Sequence, residues 1–312
     1  MFTILYIISV IAFLVLLLSF ILYRKAFCFD RALSLEKYCI LDGEQYEAVS
    51  QVMNDMVDDA VALPYEDVWT TSFDGLKLHG NLYTGKADAP VQIMFHGYHG
   101  NPTRDFSGGI PLAVSQGFNV LAIDERAHGK SEGKCLTFGI LERRDVVSWA
   151  EYAAEKFGRD RPIILTGISM GAATVLMASN LELPESVKCI ISDCGYTSPE
   201  EIIAKVMKEM HLPPVLLMPF VRLGAKLFGH FTLDEADAPS SLSETKLPVL
   251  FIHGEDDRFV PCEMSRRNYE ACNSTKNLFT VPDAGHGLSF IIDHEGYITV
   301  RNQFLNQVFS SK

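Results

Sequence analysis

From residue 2 to residue 23 the chain carries no charged side chain, and beyond residue 66 short apolar runs alternate with amphipathic ones. A helix rises about 1.5 Å per residue, so roughly 20 apolar residues cross a hydrocarbon core of ~30 Å. The first pattern therefore predicts a transmembrane anchor over residues 1–25. Residues 26–65 follow as a juxtamembrane segment, where "EQYEAVSQVMNDMVDDAVAL" places apolar side chains near helical spacing and predicts one helix. Residues 66–312 then read as the folded domain. It opens with two alternating β-like runs around Asp74-Gly75, the signal of a hairpin.

After the hairpin, strands and helices take turns. Buried strands are predicted at 91–97, 118–129, 162–169, 187–193 and 248–254, with a last one at "NLFTV". Helices are predicted at 110–117, at 141–158, after residue 169, through "EMSRRNYEAC", and near 298–310. In the 141–158 segment Val146, Val147, Ala150, Ala153 and Ala154 share a face, and Gly158 ends it. Near-continuous apolar strands alternating with helices imply an α/β fold: a mostly parallel sheet with helices on both faces. Residues 195–245 break the rhythm with helical pieces interrupted by Pro213, Pro214 and Pro219, and read as an inserted helical cap.

Composition narrows the classes. Lys and Arg number 27 against 39 Asp and Glu, for a formal charge of −12, and no basic cluster occurs, which excludes a nucleic-acid binder. The seven cysteines form no C-x-x-C pair and no zinc spacing, and Cys28, Cys39, Cys135, Cys189, Cys194, Cys262 and Cys272 read as reduced structural thiols. The apolar N-terminus lacks the basic start and small-residue cleavage site of a signal peptide. Lys25 and Phe27 stand where a lipobox before Cys28 needs an aliphatic and a small residue. Arg24, Lys25, Arg31 and Lys37 follow the span and no basic side chain precedes it, so the positive-inside rule puts the rest of the chain in the cytoplasm of a single-pass membrane protein.

The chemistry centres on "IILTGISMGAATVL", residues 163–176, where an apolar run ends in Gly167-Ile168-Ser169-Met170-Gly171 and small residues follow. A serine needs a base to become nucleophilic and an exposed position to reach substrate. A sharp strand-to-helix turn provides the position, and flanking glycines tolerate its crowded backbone. Downstream, "FIHGEDDRFVP" puts Asp256 and Asp257 in a loop after one strand, and "VPDAGHGLS" puts His286 in a loop after the last. Both loops open at the carboxyl edge of the sheet, where Ser169 also falls. His286 is then the general base toward Ser169. Residue chemistry alone does not choose between Asp256 and Asp257, and Asp193, after the preceding strand, is a third candidate.

In these motifs the chain resembles the α/β-hydrolases, and most closely their bacterial serine-aminopeptidase-like or esterase-like branch. "SFDGLKLHG", "FHGYHGN", "DERAHGKSEG", "GISMG", "HGEDDRFVP" and "DAGHG" match that branch in its order, over roughly residues 65–310. The resemblance implies Asp257 as the triad acid, from the register of His253 through Pro261. It also implies that the backbone N–H groups of Tyr98 and Met170 hold the oxyanion, and that His96, His128 and His253 brace turns. Implied too are a Ser169–His286–Asp257 hydrolase of esters, thioesters or amides, with no cofactor and a small acyl substrate.

Further readings remain beside it. His99 stands near the pocket as a candidate substrate contact. A metal site from His96, His99 and Asp124 lacks ligand spacing, so none is expected. Met207, Met210, Met218 and Phe220 of the insertion read as cap core or as part of an acyl pocket. An aminopeptidase on the same triad would need cap carboxylates for a free α-amine, and Glu200, Glu201, Glu209, Asp234 and Glu235 are available. A membrane-tethered binding protein that lost the chemistry is the remaining alternative.

Overall fold

The computed structural model describes residues 1–28 and 43–310; Arg31, Lys37 and Cys39 lie outside the described residues. Helix α1 (Phe2–Phe27) is long and apolar enough to cross a bilayer, a property that secretory signal helices share. Its first turns are exposed, but Ser19, Tyr23 and Phe27 are buried within the protein, Phe27 completely. The Phe27 ring meets Phe138 and Phe231 edge-on, and its carbonyl accepts from Leu136 N–H. Beyond the gap come α2 (Glu44–Glu47) and α3 (Ser50–Ala62).

One eight-stranded sheet follows, in the order β1-β2-β4-β3-β5-β6-β7-β8. The strands β1 (Glu66–Thr71) and β2 (Lys77–Tyr83) form the expected hairpin, with Ser72 and Asp74 hydrogen-bonded in its turn and Gly75 at φ 86°. From β3 (Val91–Phe95) and β4 (Asn119–Ile123) through β5 (Ile163–Ile168), β6 (Val187–Asp193), β7 (Val249–Gly254) and β8 (Lys276–Val281) the pairing is parallel. Both faces are covered, which is why these strands are apolar without alternation. Ile93 and Phe95 pack with α6 (Glu142–Phe157) and α7 (Met170–Met177), while Met94 packs with Ile110 and Ala113 of α5 (Gly109–Ser115). Farther along, Ile191 and Ile252 meet Phe304 and Leu305 of α13 (His294–Ser310). Helix α11 (Cys262–Ala271) packs on the face of α6 and α7 through Met264, and α4 (Pro102–Asp105) and α12 (Ser289–Ile292) are short helices in the loops.

The segment after β6 is helical: α8 (Pro199–Glu209), α9 (Pro214–Gly224), a π-helical turn (Ala225–Gly229) and α10 (Ala238–Glu244). Its helix α9 packs on α1, with Met218 and Val221 buried. The six cysteines among the described residues are free thiols, and Cys189 and Cys194 are buried.

Candidate active site

β5 ends at Ile168, and α7 begins at Met170, leaving Ser169 alone at the turn with φ 55° and ψ −114°. Such a backbone is costly for a side-chain-bearing residue and aims the hydroxyl out of the sheet edge. The two flanking glycines are obligatory on space. A Cβ on Gly167 would come within 2.2 Å of the Gly171 carbonyl, and one on Gly171 within 1.9 Å of the Phe95 carbonyl. The turn is tied to its neighbour by Ser169 N–H donating to Asp193 O at 2.8 Å.

The loops after β7 and β8 bring the other two predicted side chains to this hydroxyl. His286 Nε2 lies 2.8 Å from Ser169 Oγ, and Nδ1 lies 2.7 Å from Asp257 Oδ2. All three residues are buried. With Nδ1–H donating to the carboxylate, Nε2 is left to accept from the serine. Asp257 is fully engaged: Oδ1 accepts from the N–H groups of Phe259 and Val260, and His253 Nε2 lies 3.1 Å from Oδ2. Burial alone would raise its pKa, but the fields and hydrogen bonds of His286 and His253 outweigh it and hold the carboxyl well below the usual range. Asp256 is exposed on the same loop. Asp193 is buried, and its burial pushes it up to about 7 against the field of His253 and the hydrogen bond of Tyr297.

A cavity of about 150 Å³ opens on Ser169 and His286. Gly97 and Tyr98 lie at its floor, on the loop after β3. That loop is fixed by Asp105, whose Oδ2 accepts from Gly97 N–H at 2.7 Å while Oδ1 holds Arg104. Met170 opens α7, so its N–H belongs to the first helical turn, which has no intrahelical acceptor. Phe106, Ile168, Leu288, Phe290 and Ile291 make an apolar wall.

The roof departs from expectation. Tyr46 of α2 and Met53 and Met56 of α3 cover the cavity, and none of Met207, Met210, Met218 or Phe220 lines it. The insertion turns its apolar side to α1 instead. Tyr46 also donates its hydroxyl to the His286 carbonyl at 2.8 Å. Helical spacing predicted α3, but no local signal joins it to a loop more than two hundred residues away. His99, expected as a substrate contact, does not line the cavity: it stacks on the Tyr98 ring at 3.7 Å, and burial lowers its pKa to about 4.

Other histidines brace loops. His96 Nε2 accepts from Glu125 N–H, and His128 Nδ1 lies 2.9 Å from Arg126 O. His253 braces its loop, with Nε2 2.8 Å from the Val260 carbonyl, and also reaches Asp257 Oδ2 at 3.1 Å. Asp124 is occupied by His79 and Lys130 N–H, so it forms no set with His96 and His99. Cys194, Asp257 and His286 place potential ligand atoms within 4.8 Å of one another. Burial, Asp193 and Asp257 push the Cys194 thiol up, which keeps it protonated and a poor ligand.

A family model described as the alpha/beta hydrolase fold matches residues 90–228. The uncharacterized protein YqkD of Bacillus subtilis is 29% identical over 201 residues, which span 64% of this chain and 66% of that relative, just under two thirds of its length. The thiohydrolase aneE of Aspergillus aculeatus is 30% identical over 168 residues, half of each chain (50% and 50%). Among solved structures, the Pyrococcus furiosus esterase Pf2001 superposes with a TM-score of 0.63 at 25% identity, covering 80% of this chain and 93% of that one.

Proposed function

We propose that this chain, whose residues 90–228 match the alpha/beta hydrolase fold, is a hydrolase that cleaves carboxylic esters, including thioesters, through an acyl-enzyme on Ser169. The observation that carries the reading is the continuous hydrogen-bonded chain from Ser169 Oγ through His286 to Asp257, at 2.8 and 2.7 Å, opening into an apolar cavity.

In this mechanism Ser169 Oγ attacks the substrate carbonyl carbon as His286 Nε2 takes its proton. The oxyanion forms against the N–H groups of Met170 and Tyr98, each worth about 3 kcal/mol to the transition state. Asp257, held ionised, stabilises the imidazolium. His286 then protonates the leaving alcohol or thiol, and the same steps with water free the acid. Substrate-class support comes from the cavity wall, which suits an acyl chain. Of the five cap carboxylates that a peptidase could use, Glu200 pairs with Arg222, Glu201 with Arg267 and Glu209 with Lys205, and Glu235 accepts from Thr232 N–H. Neither these four nor Asp234 lines the cavity.

A fluorophosphonate probe is expected to label the wild-type protein and not Ser169→Ala. Before it meets the probe, the wild-type enzyme should turn over p-nitrophenyl esters and leave N-terminally free aminoacyl anilides intact; probe-labelled enzyme should be inactive on both. Labelling that survives in Ser169→Ala, or preference for the anilide, would sink the reading.

The reading extends to location: α1 is a single-pass anchor with the hydrolase domain in the cytoplasm, supported by Arg24 and Lys25 after the apolar run. A C-terminal fluorescent-protein fusion should then glow and a C-terminal alkaline phosphatase fusion be silent; the reverse pattern rejects this orientation.

A further inference from the structure

Helix α9 stands beside α1 in a telling register. A Cβ on Gly224 would meet the Ser19 carbonyl at 2.5 Å, so the two backbones touch. Phe228 meets Phe20 and Tyr23, and Phe231 meets Phe27. The contacts advance together along both segments, so α9 runs parallel to α1. Going back from Gly224 toward Pro214 therefore leads outward, alongside the exposed apolar part of α1.

That outward half is built for an apolar medium. Residues 212–221, "LPPVLLMPFV", hold no charge. Val215 is 88% exposed, Leu216 66%, and Met210 in the preceding turn 64%. Pro213 and Pro214 occupy the start of the helix, where unpaired N–H groups would otherwise face the surroundings. The first ionic group along the helix, Arg222, lies at the inner end and is paired with Glu200.

Depth sets the occupant. The stretch of α1 ahead of Ser19 falls short of the roughly 20 residues that cross a ~30 Å core. The apolar run completes that length only through Tyr23, and Ser19 to Tyr23 is the part that α9 and the π-helical turn cover. We propose that the N-terminal half of α9, with Met210, Val215 and Leu216, enters the lipid leaflet beside α1 as a second, non-spanning membrane contact. The inference rests on the reading of α1 as a membrane helix.

The contact reaches the catalytic site through α8. Lys205 of α8 donates to the Arg258 carbonyl and lies over the Phe259 ring, which packs on His286 at 5.1 Å. The membrane-facing insertion thus abuts the mouth of the cavity.

The test uses the full-length protein in phosphatidylethanolamine–phosphatidylglycerol vesicles. An environment-sensitive fluorophore is placed on Val215→Cys, Ile11→Cys and Glu155→Cys, with the labelled wild-type chain as blank, and quenched by lipids spin-labelled near the headgroup and in the acyl chain. Positions 215 and 11 should both be quenched, by roughly twofold or more over position 155. Quenching at 11 with position 215 matching 155 overturns the proposal and leaves the anchor standing. Quenching at neither removes the anchor reading, and this inference with it.

Discussion

Asp193 and Asp257 follow neighbouring parallel strands, yet their carboxyls are driven in opposite directions. Asp257 has two imidazoles and two N–H groups hydrogen-bonded around it, while Asp193 has a tyrosine hydroxyl, and burial outweighs both that bond and the field of His253. The difference makes Asp193 a liability with a defined pH sign. Its folded value, about 7, lies above its unfolded one, so the native state keeps a proton that the unfolded chain releases. Stability from this group falls as pH rises from about 4 to 7, by at most roughly 4 kcal/mol. Asp193→Asn keeps an acceptor for Tyr297 and removes the titration. Urea melts in detergent at pH 5 and pH 8 should therefore lie closer together for the variant than for wild type, and an unchanged gap would refute the assignment. Tyr46 is a positioning residue of a different kind: it roofs the cavity, and its hydroxyl holds the main chain of His286. Tyr46→Phe should lower kcat about fivefold, the worth of one hydrogen bond of ~1 kcal/mol, with KM little changed. A lower melting temperature with kcat intact would give Tyr46 a purely structural part.

At the scale of elements, the site has two origins with different visibility in sequence. The sheet edge was readable because each contribution is local: Ser169 stands between an apolar run and small residues, and Asp257 and His286 sit in loops just past strands. The roof was not, because α2 and α3 reach the cavity only through long-range packing, which amphipathic spacing does not address. For the same reason the insertion was legible as helical, but its partner, α1, was not. The roof also carries a partition. A surface groove of about 570 Å³ between α3 and α5 shares Met56, Ser107, Gly108, Phe290 and Ile291 with the inner cavity. Phe290 and Met56 close over Gly108, where even a Cβ would lie 2.1 Å from the ring and 2.7 Å from the Met56 methyl. Phe290→Ala should join the two spaces and raise kcat/KM for a decanoyl over a butyryl ester by roughly tenfold or more. An unchanged chain-length profile would place the acyl group elsewhere.

For the whole molecule, α1, proposed above as the membrane helix, is also a piece of the domain's interior. Phe27 is fully buried against Phe138 and Phe231, and the Tyr23 hydroxyl reaches Cys135. An anchor joined by a loose linker lets a catalytic unit wander above the bilayer and survive release by a protease. This one is a mast stepped into the hull. A cut ahead of Ser19 would keep the buried end of α1 in place, whereas one that also takes Phe27 would leave a hole of the kind that costs about 3–5 kcal/mol. If α1 spans a bilayer as proposed, orientation toward the leaflet is inherited from the tertiary structure, and the opening over Ser169 faces the same way each time the protein folds.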